Sequence, residues 1–310
     1  FLPNDISSID AGKNEFSTAR ALTHLTEISK KPHFVGNAEH NNVRDYIEKQ
    51  LQQLGLQTQI QEGYTISQWG NLAKAKNIIA KVKGSTNGKA LMLLTHYDSN
   101  PHSSIGASDA GSGVITILEG LRAYLSEGKT PKNDIIILIS DAEELGLNGA
   151  DLFVNQHEWA KDVGLVLNFE ARGSGGPSYM LIETNDGNAN LMKAFVEANP
   201  KYPVANSLAY SIYKMLPNDT DLTVFRKDGD INGFNFAFID DHFDYHTALD
   251  TYDRLDRNTL EHQGSYLMPL LHYFADSNLD TLKSKDDYIY VNVPYFGTVI
   301  YPFSWIFPML

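Results

Sequence analysis

Three short apolar segments constrain the fold of this chain most strongly. Residues 90–95, 134–140 and 164–169 are almost continuous runs of aliphatic or β-branched residues. Runs of this length that are apolar on both faces are typical of parallel strands buried between helices. Helical spacing of apolar residues, as at 113–126, occurs between these segments. The sequence therefore predicts an α/β fold, a three-layer α/β/α sandwich with a mixed, mostly parallel central sheet.

The same patterns predict further elements along the chain. We expect helices at residues 16–29, 41–54, 188–198, 220–227 and 258–274, and strands at 77–82, 235–239 and 288–293. The simplest organisation is one catalytic domain, residues 1–283, followed by a C-terminal strand and apolar tail, residues 284–310. Three prolines and a glycine in that tail argue against a single membrane-spanning helix. The tail is therefore either packed on the surface or the approach to a membrane portion of a longer protein.

Composition excludes several classes of function. The formal net charge of −13 argues against nucleic acid as a partner, because phosphate binding needs a basic surface. The chain has no cysteine, which excludes disulfides, thiol nucleophiles and cysteine-ligated zinc. Any zinc site must therefore use histidine, aspartate and glutamate.

A histidine or an acidic residue follows or ends each apolar segment. His96 and Asp98 come after the first, Glu143 and Glu144 after the second, and Glu170 ends the third. The carboxyl ends of parallel strands meet at one edge of a sheet, so we expect these side chains to lie close together.

Two further residues extend this cluster, Asp109 at the start of a helix and His246 in the turn at residues 244–250. Each signal alone has a structural alternative. A strand-end histidine can make an ordinary hydrogen bond, an aspartate can cap a helix, and paired glutamates can open one. Adjacent acids repel each other unless a cation neutralises them. Together the residues predict a two-metal hydrolytic centre, in which activated water attacks an amide.

These residues, in this order, resemble the co-catalytic zinc aminopeptidases, which include bacterial secreted leucyl aminopeptidases and glutamate carboxypeptidase. The resemblance covers about residues 16–276 and includes residues 31–36. The matching motifs are His96-x-Asp98, Ser108-Asp109-x-Gly111-Ser-Gly113, Glu143-Glu144, Glu170 and Tyr245-His246-Thr247. Residues 168–173 and 217–221 are most similar to the membrane-anchored branch, the vacuolar membrane and endoplasmic-reticulum metallopeptidases with their bacterial relatives.

The resemblance implies two bound Zn²⁺ ions, or other divalent transition metals. His96 and Glu170 would hold one ion. Glu144 and His246 would hold the second, and Asp109 would bridge both. Many members of the family have aspartate where Glu170 stands, so this position departs from the common pattern.

The resemblance also implies roles around the metals and a reaction. Glu143 would be the general base that takes a proton from water, and Asp98 would orient the His96 ring. Tyr245 and Arg172 would contact a peptide substrate, which would lose its N-terminal residue. One alternative is a carboxypeptidase or dipeptidase that binds a C-terminal carboxylate through Arg172 and Arg226. The others are a mono-zinc glutaminyl cyclase of related fold and an inactive receptor-like ectodomain.

The membrane-anchored branch implies a location. In that branch the peptidase domain faces a lumen or the periplasm beside a multi-span membrane portion. We therefore expect an extracytoplasmic protein, secreted, periplasmic or lumenal. The aromatic tail would then lead towards a membrane portion of the parent protein.

Overall fold

A seven-stranded mixed sheet forms the centre of the fold in the computed structural model, which describes residues 2–215, 219–293 and 296–309. The strand order is β1-β2-β4-β3-β5-β7-β6. The four strands β4, β3, β5 and β7 are parallel, whereas β1, β2 and β6 pair antiparallel at the two sides. The strands are β1 (Thr58–Ile66), β2 (Leu72–Val82), β3 (Ala90–His96), β4 (Ile135–Ser140), β5 (Val163–Ala171), β6 (Tyr179–Glu183) and β7 (Asn232–Phe238).

Helices cover both faces of the sheet. They are α1 (Thr18–Ile28), α2 (Ala38–Gln53), α3 (Gly111–Leu125), α4 (Asn148–Gln156), α5 (Ala189–Ala198), α6 (Ser207–Met215), α7 (Asp221–Gly229), α8 (Arg257–Asp276) and α9 (Ile306–Met309). Side chains of α1, α2, α3, α5 and α8 share one apolar core with one face of the strands. Side chains of α4 and α7 form a second core on the opposite face. The predicted three-layer α/β/α sandwich is confirmed.

The elements that the sequence patterns missed lie mainly at the periphery. Strands β1 and β6, and helices α4 and α6, were not predicted, and β2 begins five residues earlier than expected. In the early part of β2, buried Ala73 and Ala75 alternate with Lys74 and Lys76. Such alternation is typical of a strand with one face in solvent.

The C-terminal segment packs on the domain. The predicted strand at 288–293 is confirmed as β8 (Tyr288–Val293), which pairs antiparallel with the unpredicted β9 (Gly297–Pro302). The Tyr290 side chain is fully buried in the main core. Ala205 donates its backbone N–H to the Asn292 side chain at 2.5 Å. Within the described ranges, no helix is both long enough and apolar enough to cross a bilayer.

Part of one motif lies outside the described residues. These residues are Pro217 and Asn218. They belong to the segment at 217–221 that resembles the membrane-anchored branch. The rest of that segment leads into α7, where Thr220 is the N-cap.

Candidate metal centre

The ends of three parallel strands bring predicted ligands to one edge of the sheet. His96 is the last residue of β3, and Glu170 is the last residue but one of β5. Glu143 and Glu144 lie in the turn between β4 and α4. Because β3 is hydrogen-bonded to both β4 and β5, the three carboxyl ends lie side by side.

Close packing of α3 on the sheet places Asp109 among these strand ends. A Cβ atom at Gly113 would collide with the Thr95 hydroxyl and the Phe169 carbonyl oxygen, which directly precede two predicted ligands. Glycine therefore allows the helix to approach the sheet at this point. Asp109 lies two residues before the helix, and its peptide bond to Ala110 is cis.

A first set of possible ligands consists of His96, Asp109 and Glu170. The His96 Nε2 atom lies 3.2 Å from Asp109 Oδ1 and 3.7 Å from Glu170 Oε2. One ligand atom from each residue lies within 4.8 Å of the others, and all three residues are buried. The longer glutamate side chain at position 170 therefore reaches the cluster.

A second set consists of Asp109, Glu144 and His246. The His246 Nε2 atom lies 3.2 Å from Asp109 Oδ2 and 3.0 Å from Glu144 Oε2. Again one ligand atom from each residue lies within 4.8 Å of the others. Asp109 is common to both sets and directs a different carboxylate oxygen towards each histidine. The structure thus brings the five residues together in two groups that share Asp109.

Asp98 connects His96 to the glutamate turn. The sequence assigned the orientation of the His96 ring to the Asp98 carboxylate. In the structure, the nearer acceptor for His96 Nδ1 is the Asp98 carbonyl oxygen, at 3.0 Å, and carboxylate Oδ1 lies 3.5 Å away. The carboxylate accepts the backbone N–H groups of Glu143 at 3.1 Å and Glu144 at 3.3 Å. Asp98 therefore binds two parts of the site at once.

The clustered side chains shift one another's pKa values. Burial opposes a charge on His96, but Glu170 and Asp109 raise its pKa well above the ordinary value. Burial likewise opposes a charge on His246, yet Asp109 and Glu144 raise its pKa to about 9. Burial raises the pKa of Glu144 to about 7, with the Asp109 charge adding to the shift. Bound dications would compete with these protons for the same nitrogen and oxygen atoms.

Glu143 lies next to the ligand sets without belonging to either. Its side chain is half-buried. Within the described ranges, its carboxylate makes neither a hydrogen bond nor an ion pair. Burial raises the pKa of Glu143 well above its usual range, although the nearby His96 opposes the shift. A carboxylate beside the ligand sets, without a partner in the described part of the chain, is placed to exchange a proton with water.

Tyr245 and Arg172 border the cluster. The Tyr245 ring stacks on His246, with ring centroids 3.6 Å apart. The Arg172 guanidinium carbon lies 5.6 Å from the centre of the Tyr245 ring. Arg172 also donates from Nη2 to the Asp219 carbonyl oxygen at 3.1 Å. Both side chains are half-buried, so they remain accessible to a substrate.

Two residues of the site were not singled out in the sequence. Asn100 donates from Nδ2 to Glu144 Oε2 at 2.8 Å. Asp250 accepts the backbone N–H groups of Ser108 and Asp109. The available signals were weak: Asn100 lies four residues after β3, outside regular secondary structure, and Asp250 lies at the end of the turn that carries the second histidine.

The chemistry of the donor set fits zinc. Imidazole nitrogens and carboxylate oxygens are ordinary zinc ligands. The Glu144 Oε1 atom is buried and has no hydrogen-bond partner among the residues that the structure describes. Buried polar atoms normally have one, so a cation would satisfy this oxygen.

Comparison with known proteins identifies the family. Residues 77–271, which include both ligand sets and Glu143, match Peptidase family M28. The chain belongs to this family. Family M28 consists of zinc-dependent peptidases, so the resemblance to zinc peptidases in the sequence is confirmed.

Relatives of this chain include a metallopeptidase of the endoplasmic reticulum and a protease of the vacuolar membrane. Endoplasmic reticulum metallopeptidase 1 of Rattus norvegicus is 31% identical over 226 residues, which cover 72% of this chain and 25% of the relative. Vacuolar membrane protease of Candida tropicalis is 28% identical over 288 residues, which cover 87% of this chain and 30% of the relative. The chain thus spans less than a third of the length of these relatives. The predicted similarity to this branch is confirmed.

Solved structures share the fold. A glutaminyl cyclase from Porphyromonas gingivalis aligns with a TM-score of 0.67 at 21% identity, covering 83% of this chain and 98% of that chain. A leucine aminopeptidase precursor from Bacteroides thetaiotaomicron aligns with a TM-score of 0.66 at 20% identity, covering 84% and 98%. At these identities the alignments establish the α/β fold alone.

Proposed function

We propose that this chain is the catalytic domain of an aminopeptidase that uses two Zn²⁺ ions, or other divalent transition metals. The observation that carries the proposal is the position of Asp109. Its Oδ1 atom lies 3.2 Å from one histidine and its Oδ2 atom lies 3.2 Å from the other. A carboxylate shared in this way suits a two-metal centre, in which bound ions lower the pKa of water and polarise the scissile carbonyl.

Each residue of the two sets has a place in this proposal. His96, Asp109 and Glu170 would hold one ion. Asp109, Glu144 and His246 would hold the other. The Asn100 amide would keep the Glu144 carboxylate turned towards the second site, because it already donates to Oε2.

Proton transfer falls to Glu143. It would accept a proton from the attacking water and later donate it to the nitrogen of the departing peptide, which becomes a new N-terminal amine. Asp98 would keep Glu143 in place through the backbone hydrogen bond at 3.1 Å. Tyr245 and Arg172 would contact the peptide substrate near its scissile carbonyl group, since both side chains border the cluster and are partly accessible.

A neighbouring cavity supports action on an apolar N-terminal residue. It has a volume of about 280 Å³, and its walls include Leu181, Ala209, Ile212 and Ala237. Ala237 is the register partner of Glu170 on the adjacent parallel strand, so the cavity begins directly beside a proposed metal ligand. The surplus of carboxylates in the cluster would attract a free substrate amine, which favours exopeptidase action.

The test compares substrates that differ only at the N-terminus. We expect the zinc-loaded protein to hydrolyse leucyl and phenylalanyl anilides and to leave their N-acetylated analogues intact. Cleavage of N-blocked peptides at the C-terminus would favour the carboxypeptidase alternative. Pyroglutamate formation from glutaminyl peptides with one bound zinc would favour the cyclase. Bound zinc without any of these reactions would favour the inactive ectodomain.

The surroundings of the domain are part of the proposal. We expect an extracytoplasmic location, lumenal or periplasmic, beside a membrane portion of a longer protein. The names of the two relatives, which refer to the endoplasmic reticulum and the vacuolar membrane, support this location. The expected partner is a peptide, and the net charge of −13 makes nucleic acid an unsuitable one.

A further inference from the structure

The loop between β7 and α8 carries His246 but contains little regular structure. One short 3-10 turn, His242–Asp244, precedes the histidine. His246 itself has a φ angle of 57°, which is uncommon for a residue with a side chain. Contacts with other segments must therefore hold this ligand in place.

Asp250 connects this loop to the segment that carries the shared ligand. It lies four residues after His246 and is 1% exposed. Its Oδ1 atom accepts the Ser108 backbone N–H at 2.6 Å, and its Oδ2 atom accepts the Asp109 backbone N–H at 3.2 Å. Its own carbonyl oxygen accepts the Ala107 N–H at 3.4 Å. Both carboxylate oxygens thus bind the backbone of the Asp109 segment.

Asp244 provides a similar but separate anchor. It lies two residues before His246 and is also 1% exposed. Its Oδ2 atom accepts the Ser174 hydroxyl at 2.5 Å and Arg254 Nε at 2.7 Å. The Asp244 carbonyl oxygen accepts the Thr247 N–H at 3.2 Å. These hydrogen bonds fix the histidine loop without touching the Asp109 segment.

We infer that Asp250 is a positioning residue that couples the placement of the shared ligand Asp109 to that of His246. The inference rests on the proposed two-metal function. Because Asp109 belongs to both ligand sets, a change at Asp250 should weaken both metal sites. A change at Asp244 should weaken only the site that contains His246.

The size of the effect follows from the hydrogen bonds involved. In Asp250→Asn, one of the two backbone N–H groups would face an amide NH₂ group and lose its acceptor while buried. Replacing outer residues that orient metal ligands typically lowers metal affinity by about 10–100-fold. We expect a loss in this range at both sites for Asp250→Asn, and at one site for Asp244→Asn.

The experiment measures metal affinity rather than turnover. The EDTA-treated wild type, Asp250→Asn and Asp244→Asn would be titrated with Zn²⁺ by calorimetry and with Co²⁺ by visible absorption, which reports ligand geometry. Thermal unfolding of the metal-free proteins would show that each variant folds. If Asp250 and Asp244 had merely structural roles, both variants would unfold at lower temperatures, but the two variants would not differ in which metal site is weakened. If Asp250→Asn fails to fold, Asp250→Glu, which keeps the charge but moves the carboxylate, is titrated instead.

The outcomes separate this inference from the proposed function. The inference is supported if the wild type has two strong metal sites, the Asp250 variant weakens both of them and Asp244→Asn weakens only one. Two unchanged sites in a folded Asp250 variant, or loss of only one, would overturn it. A wild type that binds fewer than two ions would contradict the proposed function itself.

Discussion

Replacement of Glu143 by glutamine tests the assignment of the general base. Glutamine keeps the size of the side chain but cannot take a proton from water at neutral pH. Neither ligand set contains Glu143, so both ions should still bind. The hydrogen bond from its backbone N–H to Asp98 is unaffected by the substitution. The change should therefore remove proton transfer and leave the metal centre intact.

The expected loss of activity can be estimated from the type of catalysis. General acid–base catalysis by a positioned side chain contributes about 10²–10⁴-fold. This corresponds to about 3–5 kcal/mol of transition-state stabilisation, since each factor of ten is about 1.4 kcal/mol. The half-buried Glu143 carboxylate makes no hydrogen bond within the described part of the chain. Its replacement therefore leaves no hydrogen-bonding group there without its partner. We expect the loss in kcat, with unfolding temperature and KM little changed.

The assay combines leucyl-anilide hydrolysis with metal analysis of the same samples. Glu144→Gln is a matched control, because it has the same chemistry one residue away but alters a proposed ligand. The control should lower zinc content as well as activity. Retained activity in Glu143→Gln with zinc bound would refute the role of the base. Loss of zinc from Glu143→Gln would show that this residue belongs to the metal site instead.

Three further predictions concern pH, packing and specificity. Folding raises the pKa of Glu144 to about 7 and the pKa of His246 to about 9. Each group therefore stabilises the folded state fully at a pH below its unfolded pKa. This stabilisation is lost as the pH rises through the pKa of the folded state. The unfolding temperature of the EDTA-treated protein should therefore fall between about pH 6 and about pH 9, and a rise would contradict the reasoning. Gly113→Ala should destabilise the fold by about 1–3 kcal/mol in denaturant unfolding, because the added Cβ forces α3 away from the sheet. Gly88→Ala is the control and should be nearly neutral, because a Cβ at this position makes only ordinary van der Waals contacts. Ala209→Phe should fill the apolar cavity and lower kcat/KM for a phenylalanyl anilide, relative to an alanyl anilide, by about 10–200-fold. An unchanged ratio of the two kcat/KM values would show that this cavity does not bind the side chain of the N-terminal residue.

The buried parts of the fold were predictable because their signals are local. The segment that forms β3 is apolar over residues 90–94, since it is covered on both faces, and the proposed ligand His96 ends it. The same reasoning located Glu170 at the end of β5. A candidate ligand at the end of a buried strand can therefore be located from a single segment of sequence.

Other parts depend on contacts between distant segments. In β1, exposed residues such as Glu62 and Tyr64 alternate with less exposed ones such as Gly63 and Thr65, which are not apolar side chains, so the strand carries little apolar signal. Asp250 contacts Ser108, which lies 142 residues earlier in the chain. Local patterns carry no information about such a pairing. The preference of His96 Nδ1 for the Asp98 carbonyl over its carboxylate likewise depends on the detailed geometry of the segment after the strand.

The most direct test of the two-metal centre is anomalous diffraction at the zinc edge from crystals grown with zinc. We expect two peaks about 3.5–4 Å apart, with Asp109 between them, one beside His96 and Glu170 and the other beside Glu144 and His246. A single peak, or two peaks that do not share Asp109, would contradict the two-metal centre.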